Sequence, residues 1–170
     1  KLVYMIDQID FCISEESPRN YGTVGYLHKA GNDRVRITGS DGFRLSYCEI
    51  EQKVPANFLE RGICLSKKAL GELRRMCAEG FSTIQVAVSD DSTTFMAVAP
   101  GYQIFVRLSA VDYPDYKAVL LTTKHVVGNL SRQHLQSVVR RALLAADRSH
   151  SLQLCFSDSS LTLTTKNTSS

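Results

Sequence analysis

Hydrophobic residues recur at helical spacing in three stretches of the chain. These stretches run from Leu2 to Ile13, from Ser66 to Glu79 and from Ser131 to Ala146. Ser66 and Ser131 stand where a helix N-cap is expected, since a serine hydroxyl can accept a hydrogen bond from a free backbone N–H. The pattern predicts three amphipathic helices. The apolar stripes of the second and third are Leu70, Leu73 and Cys77, and Leu135, Val138, Val139, Ala142 and Ala146.

The segments between the helices have the short apolar runs of strands, separated by turns rich in Gly, Asn and Asp. Residues 26–37 fit a hairpin whose turn is Ala30-Gly31-Asn32-Asp33. Ser40-Asp41-Gly42 predicts a second turn, which leads into a strand from Phe43 to Ile50. Further strands are predicted over residues 63–65, 84–88, 94–98, 102–108, 153–156 and 161–164.

One arrangement occurs twice: a helix with a basic pair, a strand, an acidic turn and a second strand. The helix holds Arg74-Arg75 in the first copy and Arg140-Arg141 in the second, and the next strand begins at Gln85 and at Gln153, about 68 positions apart. The chain is therefore predicted to be α+β, with successive copies of an α-plus-antiparallel-β unit. Because the last copy stops at Ser170 before it is complete, we expect a part of a longer protein.

Composition excludes several classes of protein. With 44% hydrophobic and 22% charged residues among 170, the chain is typical of a globular protein, and no apolar run approaches the ~18 residues of a membrane span. The five cysteines are widely spaced, which favours buried reduced thiols and a cytoplasmic location over disulfides or a zinc site. The four histidines are isolated and no nucleotide-binding loop is present, so we expect no metal, no cofactor and no enzyme activity.

A small hydrolase is the enzymatic alternative. It would use Asp90 and Asp91 as a carboxylate pair. Their place between two strand patterns instead favours a role as turn residues.

The net charge of +3 is concentrated in the second and third predicted helices, whereas Asp7 and Asp10 make the first slightly acidic. On the second helix, Lys68 and Arg75 lie on one line opposite the apolar stripe, with Lys67 to one side. Residues 131–150 alone contain four arginines and one aspartate, as much net charge as the whole chain. Such faces suit a polyanion such as duplex DNA, bound through phosphates and without regard to sequence; an ordinary solvated face is the alternative. The four arginines are Arg132, Arg140, Arg141 and Arg148.

Two segments carry a resemblance to a known family. Ser40-Asp41-Gly42-Phe43-Arg44-Leu45 resembles the T-D-G-H-R-L segment of the bacterial β sliding clamp, the processivity factor of the replicative DNA polymerase. Residues 107–116, Arg-Leu-Ser-Ala-Val-Asp-Tyr-Pro-Asp-Tyr, resemble its R-L-x-D-G-x-F-P-D-Y segment. The resemblance spans nearly the whole chain. It implies the DNA-clamp fold of repeated β-α-β-β-β units, with antiparallel sheets outside and helices lining a concave surface that faces DNA.

The resemblance also implies domains and a function in DNA replication. Residues 1–125 would be the middle clamp domain without its first strand, and residues 126–170 the N-terminal half of the third domain. Two full-length subunits would form a homodimeric ring that encircles double-stranded DNA and slides along it. The ring would tether the polymerase, the clamp loader and repair proteins through short peptides. A peptide-binding scaffold module that does not encircle DNA is the alternative.

Two sites follow from the resemblance: a DNA-facing surface and a hydrophobic peptide pocket between the middle and third domains. The implied DNA-facing residues are Lys67, Lys68, Arg75, Arg140, Arg141, Arg148, Arg19 and Tyr21. The implied pocket residues are Thr23, Ser40, Gly42, Phe43, Arg44, Leu45, Pro114, Ala118 and Val119. A turn fixed by Asp41 and Gly42 and a loop stiffened by Pro114 would suit an apolar anchor. Thr23, Phe43 and Ala118 stand where the family usually has Leu, His and Arg, and these departures bear on which peptide is preferred.

Overall fold

A computed structural model of the chain describes residues 1–55, 57–120, 128–146, 151–157 and 160–165. The chain divides into two compact units, Lys1–Ala118 and Val119–Ser170. Both units combine helix with antiparallel sheet, as the predicted α+β class requires. The predicted domain boundary after residue 125 lies outside the described residues, and the domain assignment stays a prediction.

The first unit has two antiparallel sheets and two α-helices in its described residues. Their bounds are α1 Leu2–Asp7, β1 Val24–Gly31, β2 Arg34–Ser40, β3 Leu45–Glu51, β4 Ile63–Ser66, α2 Lys67–Ala78, β5 Gln85–Val88, β6 Thr94–Ala99 and β7 Tyr102–Arg107. One sheet has the order β3-β2-β1-β4 and the other β5-β6-β7. Short 3-10 helices span Asp10–Cys12, Asn20–Thr23 and Tyr116–Val119.

The predicted hairpins are present. In the first, Gly31 pairs with Arg34, so Asn32 and Asp33 form a two-residue turn between β1 and β2. In the second, Ser40 pairs with Leu45, so Phe43 lies in the turn rather than in the strand where the sequence pattern placed it.

The first predicted helix is shorter than expected. A single helix from Leu2 to Ile13 was the wrong prediction, because α1 ends at Asp7 and a 3-10 helix follows at Asp10–Cys12. A 3-10 helix has three residues per turn, so residues three apart lie in line. This tighter winding keeps Ile6, Ile9 and Cys12 on one buried line, each at most 1% exposed.

Two glycines let this segment lie close to the sheet. Gly25 of β1 and Gly39 of β2 are paired across the strands. A Cβ at Gly25 would lie 2.9 Å from the Ile9 and Leu70 side chains, and one at Gly39 would lie 3.1 Å from the Ile9 carbonyl oxygen. Because glycine has no side chain at these two positions, α2 and the 3-10 segment can pack closely on the sheet.

The second helix is confirmed nearly to the residue. The Ser66 hydroxyl accepts a hydrogen bond from the Ala69 N–H at 3.2 Å, which caps α2 at its N-terminus. Leu70 and Leu73 are fully buried, as the stripe predicted. Met76, rather than Cys77, completes the buried face. The core that these residues join draws on α1, α2 and both sheets.

The second unit consists, in its described residues, of one helix on a two-stranded antiparallel sheet. Its elements are α3 Arg132–Ala145, β8 Leu152–Phe156 and β9 Leu161–Thr165. The Ser131 hydroxyl caps α3 by accepting from the His134 N–H, as predicted. No described residue of α3 is fully buried, and Leu144 is 89% exposed. The apolar stripe of α3 is thus only half covered.

A hydrogen-bond chain holds the segment after β7 against the first sheet. His28 is 8% exposed; its Nδ1 lies 2.7 Å from the Lys29 carbonyl oxygen, which can only accept, so Nδ1 carries the proton. Its Nε2 therefore accepts from the Tyr116 hydroxyl at 2.9 Å, and Arg36 donates to that hydroxyl oxygen at 3.0 Å. Burial lowers the pKa of His28, as do the charges of Arg36 and Lys117, although the hydrogen bond to the Lys29 carbonyl and the charge of Glu49 oppose this shift.

Acidification is expected to destabilise the first unit through His28. Because its pKa is lowered in the folded state, the unfolded chain binds the proton first, so this contribution is complete above pH about 6.5. Below that pH it falls by at most about 1.4 kcal/mol per pH unit, until the folded-state pKa is reached. Urea unfolding at several pH values between 5 and 8, followed by tyrosine fluorescence, measures the slope.

The matched variants are His28→Gln, which should remove this part of the pH dependence, and His134→Gln on exposed α3, which should leave it unchanged. A pH slope that survives in His28→Gln would contradict the assignment.

Candidate functional site

Both arginines of α2 are paired with carboxylates. Arg74 forms an ion pair with Asp7 of α1 at 2.8 Å, and Arg75 pairs with Glu72 one turn earlier on the same helix. The Arg75 side chain is nevertheless 67% exposed. The sequence analysis placed Lys68 and Arg75 on one line but overlooked that Glu72 lies between them on it.

Two lysines remain on this helix without a carboxylate partner. Lys67 is half-buried and Lys68 exposed, and neither takes part in the ion pairs found in the described part of the chain. The net positive charge of α2 therefore lies in its first turn and not in the arginine pair.

The third helix differs from the second in this respect. Arg132, Arg140 and Arg141 are all exposed. These three arginines take part in none of the ion pairs of the described residues, which do not include Asp147 and Asp158 of the same unit. Arg148, the remaining predicted DNA contact, lies outside the described residues. The predicted DNA-facing role of these residues stays a prediction.

The Asp41–Arg44 turn is held by one carboxylate. Asp41 accepts from the backbone N–H groups of Phe43 and Arg44 at 3.0 Å each, and from the Arg44 Nε at 2.9 Å. These hydrogen bonds, the backbone ones first, lower the pKa of Asp41 to about 2. Ser40 accepts from the Gly42 N–H, and Gly42 has φ +89°, which favours glycine. The turn is therefore fixed, and Phe43 projects from it with 93% of its surface exposed.

The 3-10 helix Asn20–Thr23 lies beside this turn. A Cβ at Gly22 would lie 3.7 Å from the Asp41 Cα. Tyr21 packs edge-on against Tyr113 with 6.1 Å between ring centroids, and Tyr113 stacks on Tyr26 at 4.9 Å. This helix therefore joins the turn to the segment that holds Pro114.

The structure thus places the Ser40–Leu45 turn, the 3-10 helix that holds Thr23 and the segment that holds Pro114 in succession. Ser40, Leu45 and Thr23 are half-buried. Pro114 and Ala118 are exposed, and Val119, the first residue of the second unit, is 69% exposed. Their role in binding a peptide stays a prediction.

Arg19 lies beside the Asp41–Arg44 turn. Its guanidinium lies 5.8 Å from the Phe43 ring centroid, and a Cβ at Gly42 would collide with it. Phe11, which the sequence analysis did not assign to any site, is 56% exposed and has the Arg44 guanidinium over its ring at 5.8 Å. Phe11 lies off the buried line of Ile6, Ile9 and Cys12, and this position is the signal in the sequence that could have identified it as a surface residue.

The alternative carboxylate pair forms a turn. Asp91 accepts from the Ser89 hydroxyl at 2.5 Å and from the Thr93 N–H at 3.1 Å, and these bonds lower its pKa. Asp90 is exposed in the same turn.

Within the described ranges, no three His, Cys, Asp or Glu side chains are grouped to hold a metal ion. No helix among those residues is long and apolar enough to cross a membrane.

Comparison with known proteins gives a consistent result. The family model described as the central domain of the DNA polymerase III beta subunit matches residues 1–115. The beta sliding clamp of Chlamydia pneumoniae is 30% identical over 96% of this chain and 44% of its own length, and that of Caulobacter vibrioides is 28% identical over 98% and 45%. The chain thus spans less than half the length of these curated relatives.

Solved structures agree on the fold. A crystal structure of the C. crescentus beta sliding clamp has a TM-score of 0.86 at 24% identity and covers 98% of this chain and 45% of its own. A Pseudomonas aeruginosa sliding clamp bound to griselimycin has a TM-score of 0.82 at 22% identity, with 95% and 43% covered. The predicted DNA-clamp fold is confirmed.

Proposed function

This chain belongs to the bacterial DNA polymerase III β-subunit family, and from that premise we propose that it forms part of a sliding clamp that acts as a processivity factor in DNA replication. The clamp would surround duplex DNA and tether the polymerase and other partners, without catalysis of its own. The observation on which the proposal depends is the match of the central-domain model to residues 1–115. The exposed arginines of α3 support it, because they suit a phosphate backbone.

If the clamp encircles the duplex, a modest positive charge on its helices is sufficient to keep it on DNA. A ring stays on DNA because the duplex passes through it, so contacts with phosphates can be weak, mobile and screened by salt. Dense cationic faces would bind the duplex tightly and slow its movement through the ring. The ion pairs Arg74–Asp7 and Arg75–Glu72 fit such a surface, since they limit the free charge on α2.

Charge substitutions test the DNA contact. Arg140→Gln/Arg141→Gln should reduce the slope of log affinity against log salt by about two, because each lost phosphate contact removes about one. Fluorescence anisotropy with a short labelled duplex at about 20–150 mM salt, where the Debye length falls from about 20 Å to about 8 Å, measures the slope. An unchanged slope would show that α3 does not face DNA.

The matched control is Asp7→Asn/Arg74→Gln, which removes an ion pair without changing net charge. We expect its salt slope to equal that of the unmodified chain. A slope reduced by about one would instead mean that Arg74 contacts a phosphate directly.

A scaffold that binds peptides without surrounding DNA is the second candidate. It is favoured by one observation: Thr23, the Ser40–Leu45 turn, Pro114 and Ala118 all belong to the first unit. Such a module would need neither a ring nor the charges of α3.

A further inference from the structure

Four exposed side chains around the Asp41–Arg44 turn form a continuous surface, here called the Arg–Phe rim: Phe11, Arg19, Phe43 and Arg44. The Arg19 guanidinium lies over Phe43, and the Arg44 guanidinium lies over Phe11, each 5.8 Å from the ring centroid. Phe43 and Arg44 are consecutive residues, so the two pairs adjoin. A cation over an aromatic face orients both groups, although its energy at an exposed site is small.

The two arginines differ in charge compensation. Arg44 has Asp41 as its ion-pair partner at 2.9 Å. Arg19 takes part in none of the ion pairs of the described residues. Glu15 and Glu16 are exposed in the preceding loop and pair with neither arginine. The overall field near the rim is therefore not strongly positive, and any preference for an anion must come from direct contact with Arg19.

The backbone conformation of the turn is fixed, so a change in the turn cannot bury the Phe43 ring. The Asp41 carboxylate holds the backbone N–H groups of both Phe43 and Arg44, and Gly42 leaves the space in which Arg19 lies. A fixed aromatic ring, 93% exposed beside an unpaired guanidinium, is complementary to a ligand with an apolar ring and a carboxylate close together.

We propose that the Arg–Phe rim binds a peptide segment in which a carboxylate side chain stands next to an aromatic one, with the carboxylate on Arg19 and the aromatic ring on Phe43. The inference rests on the proposed peptide-tethering function and deepens it. It assigns Arg19 to the peptide site and not to DNA, extends that site to Phe11, and specifies the charge of the partner.

Two synthetic peptides test the rim: acetylated and amidated Ser-Gly-Asp-Phe-Gly-Ser, and the same peptide with Asn in place of Asp. They are titrated into the ¹⁵N-labelled 170-residue chain, and the Gly42, Phe43 and Arg44 amide signals are followed. We expect the Asp peptide to bind about two- to fivefold more tightly at low salt, the range of an exposed ion pair. Arg19→Gln should abolish this preference, and Phe43→Ala should weaken both peptides alike.

The control is Arg107→Gln, which removes the same charge from an exposed arginine on the other sheet and should leave the preference intact. Equal affinity of the two peptides, binding of neither, or a preference that survives Arg19→Gln would each overturn the proposal. So would an Arg19→Gln chain whose DNA salt slope falls by about one while peptide binding is unchanged, because Arg19 would then contact phosphate. Failure of the ring to hold DNA would count against the proposed function and leave the rim result standing.

Discussion

Replacing Phe95 with alanine should lower the free energy of unfolding of the first unit by about 3–5 kcal/mol, the range measured for buried Phe→Ala substitutions. Phe95 is 2% exposed on β6, the central strand of the three-stranded sheet, where it pairs with Val88 and Val106. It belongs to the same core cluster as Leu70 of α2. Alanine there would remove apolar burial and leave a cavity that the close-packed neighbours could fill only in part.

The same sheet provides a matched control. Phe105 on β7 is 65% exposed, so Phe105→Ala should cost less than about 1 kcal/mol. Urea unfolding followed by tyrosine fluorescence suits the comparison, because the chain has no Trp and all seven tyrosines precede residue 119. The signal therefore reports on the first unit alone. Equal losses for the two variants would mean that the core does not lie where the structure places it.

Helix ends and hairpins could be predicted from the sequence because local chemistry determines them. Ser66 and Ser131 each supply a cap whose hydrogen bond forms within three residues. The Asn32-Asp33 turn likewise needs no distant contact. The end of α1 could not be predicted in this way, because its 3-10 continuation depends on two glycines of other elements, Gly25 of β1 and Gly39 of β2.

The charge of the candidate site was harder to predict than its location. Helical periodicity placed Arg75 on an exposed face but did not show that it would choose Glu72 as a partner. The pairing of Arg74 with Asp7 joins residues 67 positions apart along the chain, a contact that only the packing of α1 on α2 creates. Charge counts along one helix therefore overestimated the free charge of α2.

The Ser40–Leu45 turn, unlike the charge of α2, could be predicted from the sequence. The Ser40–Leu45 motif identified it because Asp41 and Gly42 are needed by the turn itself. The contact of Arg19 with Phe43 was not predicted, since the 3-10 helix Asn20–Thr23 and the β1–β2 hairpin separate the two residues along the chain. The resemblance assigned Arg19 to DNA, and this assignment stays a prediction, which the proposed peptide contact of Arg19 puts to the test.

If the proposed ring forms, the largest effect should be the difference between the amount of protein that stays on circular DNA and the amount that stays on linear DNA. A clamp in which residues 1–170 replace the matching segment of the Caulobacter vibrioides relative can be loaded on nicked circular DNA and separated from free protein by gel filtration. The parent clamp is the positive control. Because a closed circle offers no end, the chimera should stay with the DNA even at a salt concentration that screens its phosphate contacts.

Cutting the circle once tests the central claim directly, namely that the duplex is held by being surrounded. After linearisation, nearly all of the chimera should leave the DNA, since every ring can slide off an end. If the chimera remains equally on cut and uncut DNA, it binds as a static ligand and the ring is contradicted. If it fails to stay on the circle while the parent clamp does, residues 1–170 do not form part of a clamp that surrounds DNA.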